Sequence, residues 1–306
     1  MRRIVVVGAL LLGSCASVQS SDPRPEIAIT IDDLPVHAPY PPGATPTEVN
    51  EQMIAALNAG GVPVIGFVNG AGTEQHPETL QVLREWRGAG LLLGNHTWTH
   101  PHLSEITLQQ FEDELTKGDD LLSRLGDGSD WRWFRYPFLD EGKDEAQRTA
   151  ARQILAKHGY RVADVTTSFS DWAFTGAWAR CNAAGDKASV AELEDMYMDA
   201  AKESISVARG TARALYGRDI PYVLLMHISA MSAHMMPRVI KLYRDAGFRF
   251  VTIQQAESDP VYRPDIDLSL PGRVPDWKLA QQKGVKLPQA TDLGANLNTV
   301  CAAPKF

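Results

Sequence analysis

The sequence predicts an α/β fold in which parallel strands alternate with crossover helices and close into a barrel-like sheet. The first observation is order, because short apolar runs alternate with segments of helical periodicity along most of the chain. The second is number, since about seven such units favour a barrel-like closure over an open doubly wound sheet, although both fit the pattern. The third is size: 306 residues, 44% hydrophobic and 22% charged, suit one large α/β domain or two small ones.

Each predicted strand is a short apolar run, and the predicted helices have recognisable ends. The stretch "TPTE" offers a cap with a proline in the first turn, and the glycines of "AGF" and "HGY" are typical helix stops. From Ala256 the sequence is rich in Pro, Asp and Gly. Residues 256–306 are therefore predicted to be an irregular extension that covers the body or is partly mobile. The predicted strands are 26–31, 63–68, 91–94, 133–136, 161–165, 222–227 and 249–253, and the predicted helices are 47–59, 78–88, 107–125, 143–157, 190–216 and 233–246.

The first residues have the pattern of an export signal. Arg2 and Arg3 precede an apolar stretch too short to span a bilayer, and "LGSC" follows, ending at Cys15. This ending resembles a bacterial lipoprotein signal, which implies that Cys15 becomes the lipid-bearing first residue; an ordinary signal cleaved nearby, after Ala16, is the alternative. Residues 1–14 are then the signal and 15–25 a tether, and we expect a protein of the cell envelope or periplasm, anchored to the membrane by its lipid.

Charge and cysteine content narrow the class of partner. The formal net charge is −7, and removing residues 1–14 deletes two arginines and no acids, which gives −7 − 2 = −9. An acidic chain without a basic run is a poor nucleic-acid binder, so no nucleic-acid partner is expected. With Cys15 lipidated, Cys181 and Cys301 remain. In an exported protein they could form a disulfide that ties the tail to the body, or be two unrelated buried thiols.

Two adjacent acids end the first predicted strand, in the stretch "ITIDDLP". Asp and Pro both favour turns, so Asp32 and Asp33 could simply begin one. In a parallel barrel, however, reactive groups gather where strands end in loops. Because neighbouring side chains on a strand point to opposite faces, we expect these two carboxylates to diverge.

A histidine pair follows the third predicted strand, in "GNHTWTHPH". His96 and His100 are four residues apart and can face one metal ion, although two surface histidines at this spacing are also common. Gly94 before them and Pro101 after them indicate a tight loop rather than a regular helix. A carboxylate from another strand end would complete a three-ligand site with positions open for water and substrate.

Five motifs in order, TIDD, HTWTH, RYPF, SDW and LLMH, resemble those of the polysaccharide deacetylases with the NodB homology domain, carbohydrate esterase family 4. The resemblance covers residues 26–255, the predicted catalytic domain. It implies a distorted (β/α) barrel and a divalent ion, usually zinc and alternatively another such as Co²⁺. It also implies an enzyme that removes acetyl groups from N-acetylated sugars of a glycan.

The resemblance assigns the groups around the ion. Asp33, His96 and His100 match the metal ligands, and Asp32 matches the general base that takes a proton from the attacking water. Arg135 matches the arginine that pairs with this base and orients it, a task that suits a planar, permanently charged group.

The resemblance also assigns the groups that act on the substrate. His227 matches the general acid that protonates the departing amine, with Asp171 holding it and Trp172 walling the pocket. The backbone amide of Phe138 matches an oxyanion donor, and Tyr136 belongs to the same substrate-facing motif. The other histidines match no motif and are interpreted as structural: His37, His76, His102, His158 and His234.

Departures from the family pattern bear on the substrate. Leu34 and Pro35 stand where Asp-Asp-Gly is common, Ser168 replaces an Asp of motif four, Phe138 replaces a Tyr, and a long segment, 173–219, separates motifs four and five.

The leading interpretation is a deacetylase of N-acetylhexosamine in peptidoglycan, poly-N-acetylglucosamine or chitin-type glycans. The alternatives are an acetyl-ester hydrolase of the acetylxylan type and a non-catalytic glycan-binding lipoprotein.

Overall fold

The computed structural model describes residues 24–125, 130–293 and 297–302. The predicted signal, Cys15 and most of the tether lie outside this range. None of the helices in the described ranges combines the length and apolar character needed to cross a bilayer. Strands and helices alternate as the sequence predicts. The strands are β1 Glu26–Leu34, β2 Val64–Val68, β3 Leu92–Asn95, β4 Trp133–Phe134, β5 Arg161–Val162, β6 Thr167–Ser168, β7 Tyr222–His227 and β8 Arg249–Phe250.

The helices lie between and after these strands. They are α1 Pro46–Gly60, α2 Ala71–Gln75, α3 Thr79–Gly88, α4 Leu108–Leu125, α5 Glu145–Lys157, α6 Phe174–Ala184, α7 Lys187–Tyr216, α8 Ala230–Asp245, α9 Ile253–Ala256, α10 Arg263–Ile266 and α11 Asp276–Lys283. Local sequence explains their ends. Thr45 caps the start of α1, where it forms a capping box with Glu48 and precedes Pro46. Gly61, in the left-handed region at φ 57°, caps the other end.

All strand pairs are parallel, in the order β5-β4-β3-β2-β1-β7-β6, and β8 pairs with the first residues of β1. No pairing joins β5 to β6 in the described residues, so the curled sheet stays open at that edge. The predicted distorted (β/α) barrel is confirmed. Its carboxyl ends meet at one rim, where Asp32 of β1 lies in register with His227 of β7.

Strand β1 runs through the centre of the sheet, and its alternation separates two environments. Ile27, Ile29 and Ile31 pack with the apolar residues of the outer helices, whereas Ala28 belongs to a separate buried cluster with Phe67 and other strand residues. Thr30 and Asp32 share the alternation of Ala28. Thr30 is fully buried and donates a hydrogen bond to the carbonyl of Leu224 in β7. The inward face of β1 therefore changes from apolar to polar to acidic towards the rim.

The structure differs from the expected elements after β4. The predicted strand 161–165 ends at Val162, and an unpredicted strand, β6, follows. Between β5 and β6, side chains of the C-terminal extension form hydrogen bonds with the backbone. Glu257 accepts from the Asp164 amide at 2.9 Å, and Arg273 donates to the carbonyl of Val165 at 3.5 Å. The extension is thus partly helical and fills the open edge.

The extension is also tied covalently to the body. Cys181 in α6 and Cys301 form a disulfide across 120 residues of sequence. Arg180 reinforces this junction by donating to the carbonyl of Leu297 at 2.8 Å and to that of Val300 at 3.0 Å. Of the two open interpretations of the cysteines, the structure therefore supports the disulfide.

Candidate active site

A cavity of about 400 Å³ opens at the carboxyl end of the strands. Eight of the ten residues predicted for the site in the described range line it. The other two, Arg135 and Asp171, lie behind it, each bonded to a residue that does. The barrel therefore brings the five motifs together, as expected for groups that follow parallel strands.

The two adjacent acids do not diverge, contrary to the expectation. The β1–β2 register shifts between Ile31 and Leu34, and Asp33 adopts a left-handed conformation with φ 66°. This bulge interrupts the strand alternation and turns both carboxylates into the cavity. Nε2 of His96 lies 3.6 Å from Oδ2 of Asp32 and 3.5 Å from Oδ1 of Asp33.

The histidine pair lies on a loop, as its flanking glycine and proline predict. Side chains fix this loop, because Glu114 accepts from the amides of Trp98 and Thr99 at 2.9 and 2.6 Å. His96 is buried, and its Nδ1 lies 2.7 Å from the carbonyl of Arg135. Since a carbonyl only accepts, Nδ1 is the donor. His96 therefore faces Asp33 with Nε2, the nitrogen that carries the lone pair in the neutral ring.

Three atoms form a candidate metal centre: a carboxylate oxygen of Asp33 and one ring nitrogen each from His96 and His100, all within 4.8 Å of one another. Oδ1 of Asp33 is buried and has no hydrogen-bond partner among the described residues, although Nε2 of His100 lies 3.3 Å away. A buried anionic oxygen is costly unless a cation or donor satisfies it. The donor set, one carboxylate and two imidazoles, suits zinc and similar ions.

The electrostatics of these ligands suit a cation. Burial opposes ionisation of Asp33, but the hydrogen bond from His37 and the nearby imidazoles hold its pKa well below the usual range. Burial and the neighbouring His96 lower the pKa of His100 to about 4. Asp33 is then ionised and His100 neutral at pH 7, the protonation states in which these side chains bind metals.

Asp32 is paired with Arg135, and both are buried. Nη1 of Arg135 donates to Oδ2 of Asp32 at 3.2 Å, and Nη2 donates to the hydroxyl of Thr30 at 3.1 Å. Nε donates to the carbonyl of Ala163 at 2.7 Å. The guanidinium is thus held on three sides, which directs Asp32 at the cavity as a carboxylate separate from the candidate metal ligands.

His227 faces this centre from β7. Its Nδ1 lies 2.9 Å from Oδ1 of the fully buried Asp171, whose Oδ2 accepts from the His227 amide at 2.8 Å and from Ser232 at 2.9 Å. Burial alone would lower the pKa of His227, but Asp171 and the carboxylates of Asp33 and Asp32 outweigh it and raise the pKa to about 9. At pH 7 the ring is protonated and can give up a proton.

Aromatic side chains form the rim. Phe138 and Trp172 are 57% and 54% exposed. Phe138 stacks on His102 with ring centroids 3.7 Å apart. Tyr136 lines the cavity from beneath, and its hydroxyl is buried without a hydrogen-bond partner in the described part of the chain. Exposed aromatic rings at the mouth of this cavity can pack against the apolar face of a sugar.

Two histidines that sequence reasoning left as structural belong to this neighbourhood. His37 lies 2.7 Å from Asp33 through its Nδ1, and His102 supports Phe138. The signal for His37 was present, because it is four residues from Asp33, the same separation that marks His96 and His100. It was interpreted as structural because it matches none of the five family motifs.

Fold and site together define a parallel (β/α) barrel protein with a candidate Asp-His-His metal centre at the carboxyl rim. Residues 19–163 match the family model described as "Polysaccharide deacetylase". This match confirms the resemblance over residues 19–163, a little under half of the chain. The matched segment ends just after β5, so it contains the first three motifs but neither Asp171 nor His227.

Comparisons with individual known proteins support this resemblance. The chain is similar to the peptidoglycan-N-acetylglucosamine deacetylase of Bacillus cereus, with 24% identity over 102 residues that are 33% of this chain and 32% of that protein. The chain thus matches about a third of that relative's length. It also resembles the solved structure of a CE4 family pseudoenzyme from Bacillus anthracis, with 16% identity, a TM-score of 0.54 and coverage of 76% of this chain and 65% of that one.

A second solved structure extends further over its own length. The family 4 carbohydrate esterase from Streptomyces lividans, in complex with acetate, is 19% identical, with a TM-score of 0.50 and coverage of 76% of this chain and 95% of that one. At such identities these structures establish a shared fold.

Proposed function

We propose that this protein is a metal-dependent deacetylase that removes N-acetyl groups from N-acetylhexosamine residues of a polysaccharide or oligosaccharide, releasing acetate. The substrate class includes peptidoglycan, poly-N-acetylglucosamine and chitin-type glycans. One observation carries the proposal. A single cavity holds a carboxylate oxygen that lies between two imidazoles and has no hydrogen-bond partner among the described residues. Beside it lie a separate carboxylate and a protonated histidine.

Asp33, His96 and His100 would hold the ion, with zinc as the expected metal and another divalent ion such as Co²⁺ as the alternative. When bound, such an ion polarises the acetyl carbonyl and makes water a better nucleophile at neutral pH. The protein's own task is then to move two protons. Asp32, held by Arg135, accepts a proton from the attacking water.

His227 supplies the second proton. The nitrogen of the cleaved amide is a strongly basic and poor leaving group unless it is protonated. The imidazolium of His227, held by Asp171, can donate this proton. The backbone N–H of Phe138 is proposed to stabilise the developing oxyanion, as the family resemblance implies. The exposed faces of Phe138 and Trp172 are proposed to pack against the pyranose ring.

We also propose that the protein acts outside the cytoplasm, as a lipoprotein of the cell envelope modified at Cys15. The Cys181–Cys301 disulfide supports this proposal because disulfides persist mainly in oxidising compartments. A glycan of the envelope would then be within reach of an enzyme tethered through residues 15–25.

The proposal is tested by measuring released acetate. The metal-loaded full chain is incubated with peptidoglycan fragments, chitooligosaccharides and acetylxylan, beside the chelated protein and Asp32→Asn. We expect acetate from an N-acetylated glycan only in the loaded wild type. Acetate from acetylxylan alone would instead identify an ester hydrolase, for which the leaving group needs His227 less.

A non-catalytic binding role is the second candidate, because this fold also occurs in the Bacillus anthracis pseudoenzyme. The separate carboxylate of Asp32 and the protonated His227 beside the candidate metal centre favour catalysis. Glycan binding without acetate release from any of the three substrates, by a protein holding stoichiometric metal, would replace our proposal with this one.

A further inference from the structure

We propose that His37 is a positioning residue for the candidate metal centre. It holds one oxygen of Asp33 so that the other oxygen is presented to the cation between His96 and His100. The inference deepens the proposed function and rests on it, since it takes Asp33 to be a metal ligand.

The two oxygens of Asp33 have different surroundings. Oδ2 lies 2.7 Å from Nδ1 of His37. Oδ1 has no hydrogen-bond partner in the described residues and lies 3.5 and 3.3 Å from Nε2 of His96 and of His100. Because an ionised carboxylate only accepts, Nδ1 of His37 is the donor. The hydrogen bond therefore occupies the oxygen that faces away from the candidate metal centre.

The segment after β1 places His37 independently of any ion. The buried Asn50 donates to the carbonyl of Pro35 at 2.8 Å, and Nε1 of Trp86 donates to Oδ1 of Asn50 at 3.1 Å. The amide of His37 donates to the hydroxyl of Tyr40 at 3.1 Å. The polypeptide on both sides of His37 is thus anchored to the body, so its ring can act as a fixed reference for Asp33.

A fixed carboxylate matters because Asp33 sits on a bulge. Its left-handed conformation is not set by the sheet ladder, and a free carboxylate could rotate or bind a cation through both oxygens. With Oδ2 engaged, one oxygen is directed at the cation, and further coordination positions stay open for water and substrate. Partners that orient metal ligands in this way typically change metal affinity by about 10- to 100-fold when removed.

The experiment compares four variants of the full, disulfide-bonded chain by competition with a chromophoric chelator for Zn²⁺. His37→Ala removes the donor. His37→Asn keeps an N–H near the position of Nδ1, whereas His37→Gln places its amide near the position of Nε2. His76→Ala is the matched control, because His76 also faces a carboxylate, Glu78, at 3.3 Å but lies in another part of the chain.

We expect the Kd for Zn²⁺ to rise about 10- to 100-fold in His37→Ala. It should return to within a few-fold of wild type in His37→Asn, remain raised in His37→Gln and not change in His76→Ala. An unchanged Kd in His37→Ala, in a wild type that binds one Zn²⁺, would overturn the role of His37 and leave the proposed function standing. If His37→Ala does not fold, equal affinities of the Asn and Gln variants would overturn it.

Failure of the proposed function has a separate signature. A wild-type chain that binds no Zn²⁺ or Co²⁺ at micromolar concentration would end both proposals. A chain that binds Zn²⁺ through His37 as inferred, but releases no acetate from any glycan, would retain the positioning role and lose the enzymatic one.

Discussion

Nδ1 of His227 lies 2.9 Å from Oδ1 of Asp171, a carboxylate that is fully buried. Water does not reach Asp171, so its negative charge is stabilised mainly by its hydrogen-bond partners, which include His227. The pKa of His227 is therefore raised to about 9 even though burial acts in the opposite direction. A general acid must be protonated to act, so the raised pKa keeps His227 competent across neutral pH.

Replacing this carboxylate should shift the pH dependence of catalysis. A general acid loses activity as the pH rises through its pKa, so the wild type should lose kcat/KM above about pH 9. In Asp171→Asn the pKa should fall to or below the ordinary value of about 6.5, which moves the alkaline limb to lower pH and reduces kcat/KM at pH 8 by about 10-fold or more. Ser232→Ala removes a different bond to Asp171 and serves as control. An unmoved limb in Asp171→Asn would show that His227 is not the titrating acid.

The two adjacent acids should separate metal binding from proton transfer. Asp33→Asn replaces the unpaired anionic oxygen and should abolish stoichiometric metal binding. Asp32→Asn should keep the metal but lower kcat by about 10²- to 10⁴-fold, because it removes the general base. Metal content by atomic absorption and acetate release distinguish the two losses. Equal loss of metal in both variants would contradict the division of roles.

Removing Arg135 should lower the stability of the barrel as well as the catalytic rate. Asp32 would remain buried without its cationic partner, so Arg135→Met should lower the free energy of unfolding by about 3–5 kcal/mol in urea titrations. The double variant Arg135→Met with Asp32→Asn removes the stranded charge and should recover part of this loss. No recovery would mean that the bonds of Arg135 to Thr30 and Ala163 dominate instead.

The histidine loop should be sensitive to a single methyl group at Gly70. A Cβ there would lie 2.0 Å from ring atoms of Trp98, which lies midway between His96 and His100 in the sequence. Gly70→Ala should therefore displace the loop, weaken Zn²⁺ binding and cost about 1–3 kcal/mol of stability. Gly88→Ala is the control, since an added Cβ there meets no atom within 4 Å apart from its chain neighbours and its own helix backbone, and it should be neutral or stabilising by up to about 1 kcal/mol. Equal effects of the two variants on Zn²⁺ affinity would argue against a fixed loop.

Sequence alone could predict the convergence of the motifs, because the carboxyl ends of parallel strands must share one rim. It could not predict that Asp32 and Asp33 point the same way, since the left-handed conformation of Asp33 depends on a bulge formed with β2. His37 was unassigned because it matches no family motif. Its contact with Asp33 depends on the anchoring of its loop by Asn50, which lies in another element.

Short elements gave little signal in the sequence. Strand β6 has two residues, too few for any periodicity, and is held by pairing with β7. Helix α6 is different, because its buried residues Phe174, Ala177, Trp178 and Cys181 have the i, i+3, i+4, i+7 spacing of an amphipathic helix. That spacing predicts a helix, but no separate helix was predicted in this part of the long segment between motifs four and five.

The Cys181–Cys301 bond encloses α7, β7 and the segment that fills the open edge of the sheet within one covalent ring. A single proteolytic nick anywhere inside that ring would yield two peptides that migrate together until a reductant is added. A nick between Cys181 and His227 would place Asp171 and His227 on different peptides, and the disulfide would keep these peptides together after cleavage. The covalent connectivity thus holds the parts of the candidate site together after a cleavage, in addition to the packing of the barrel.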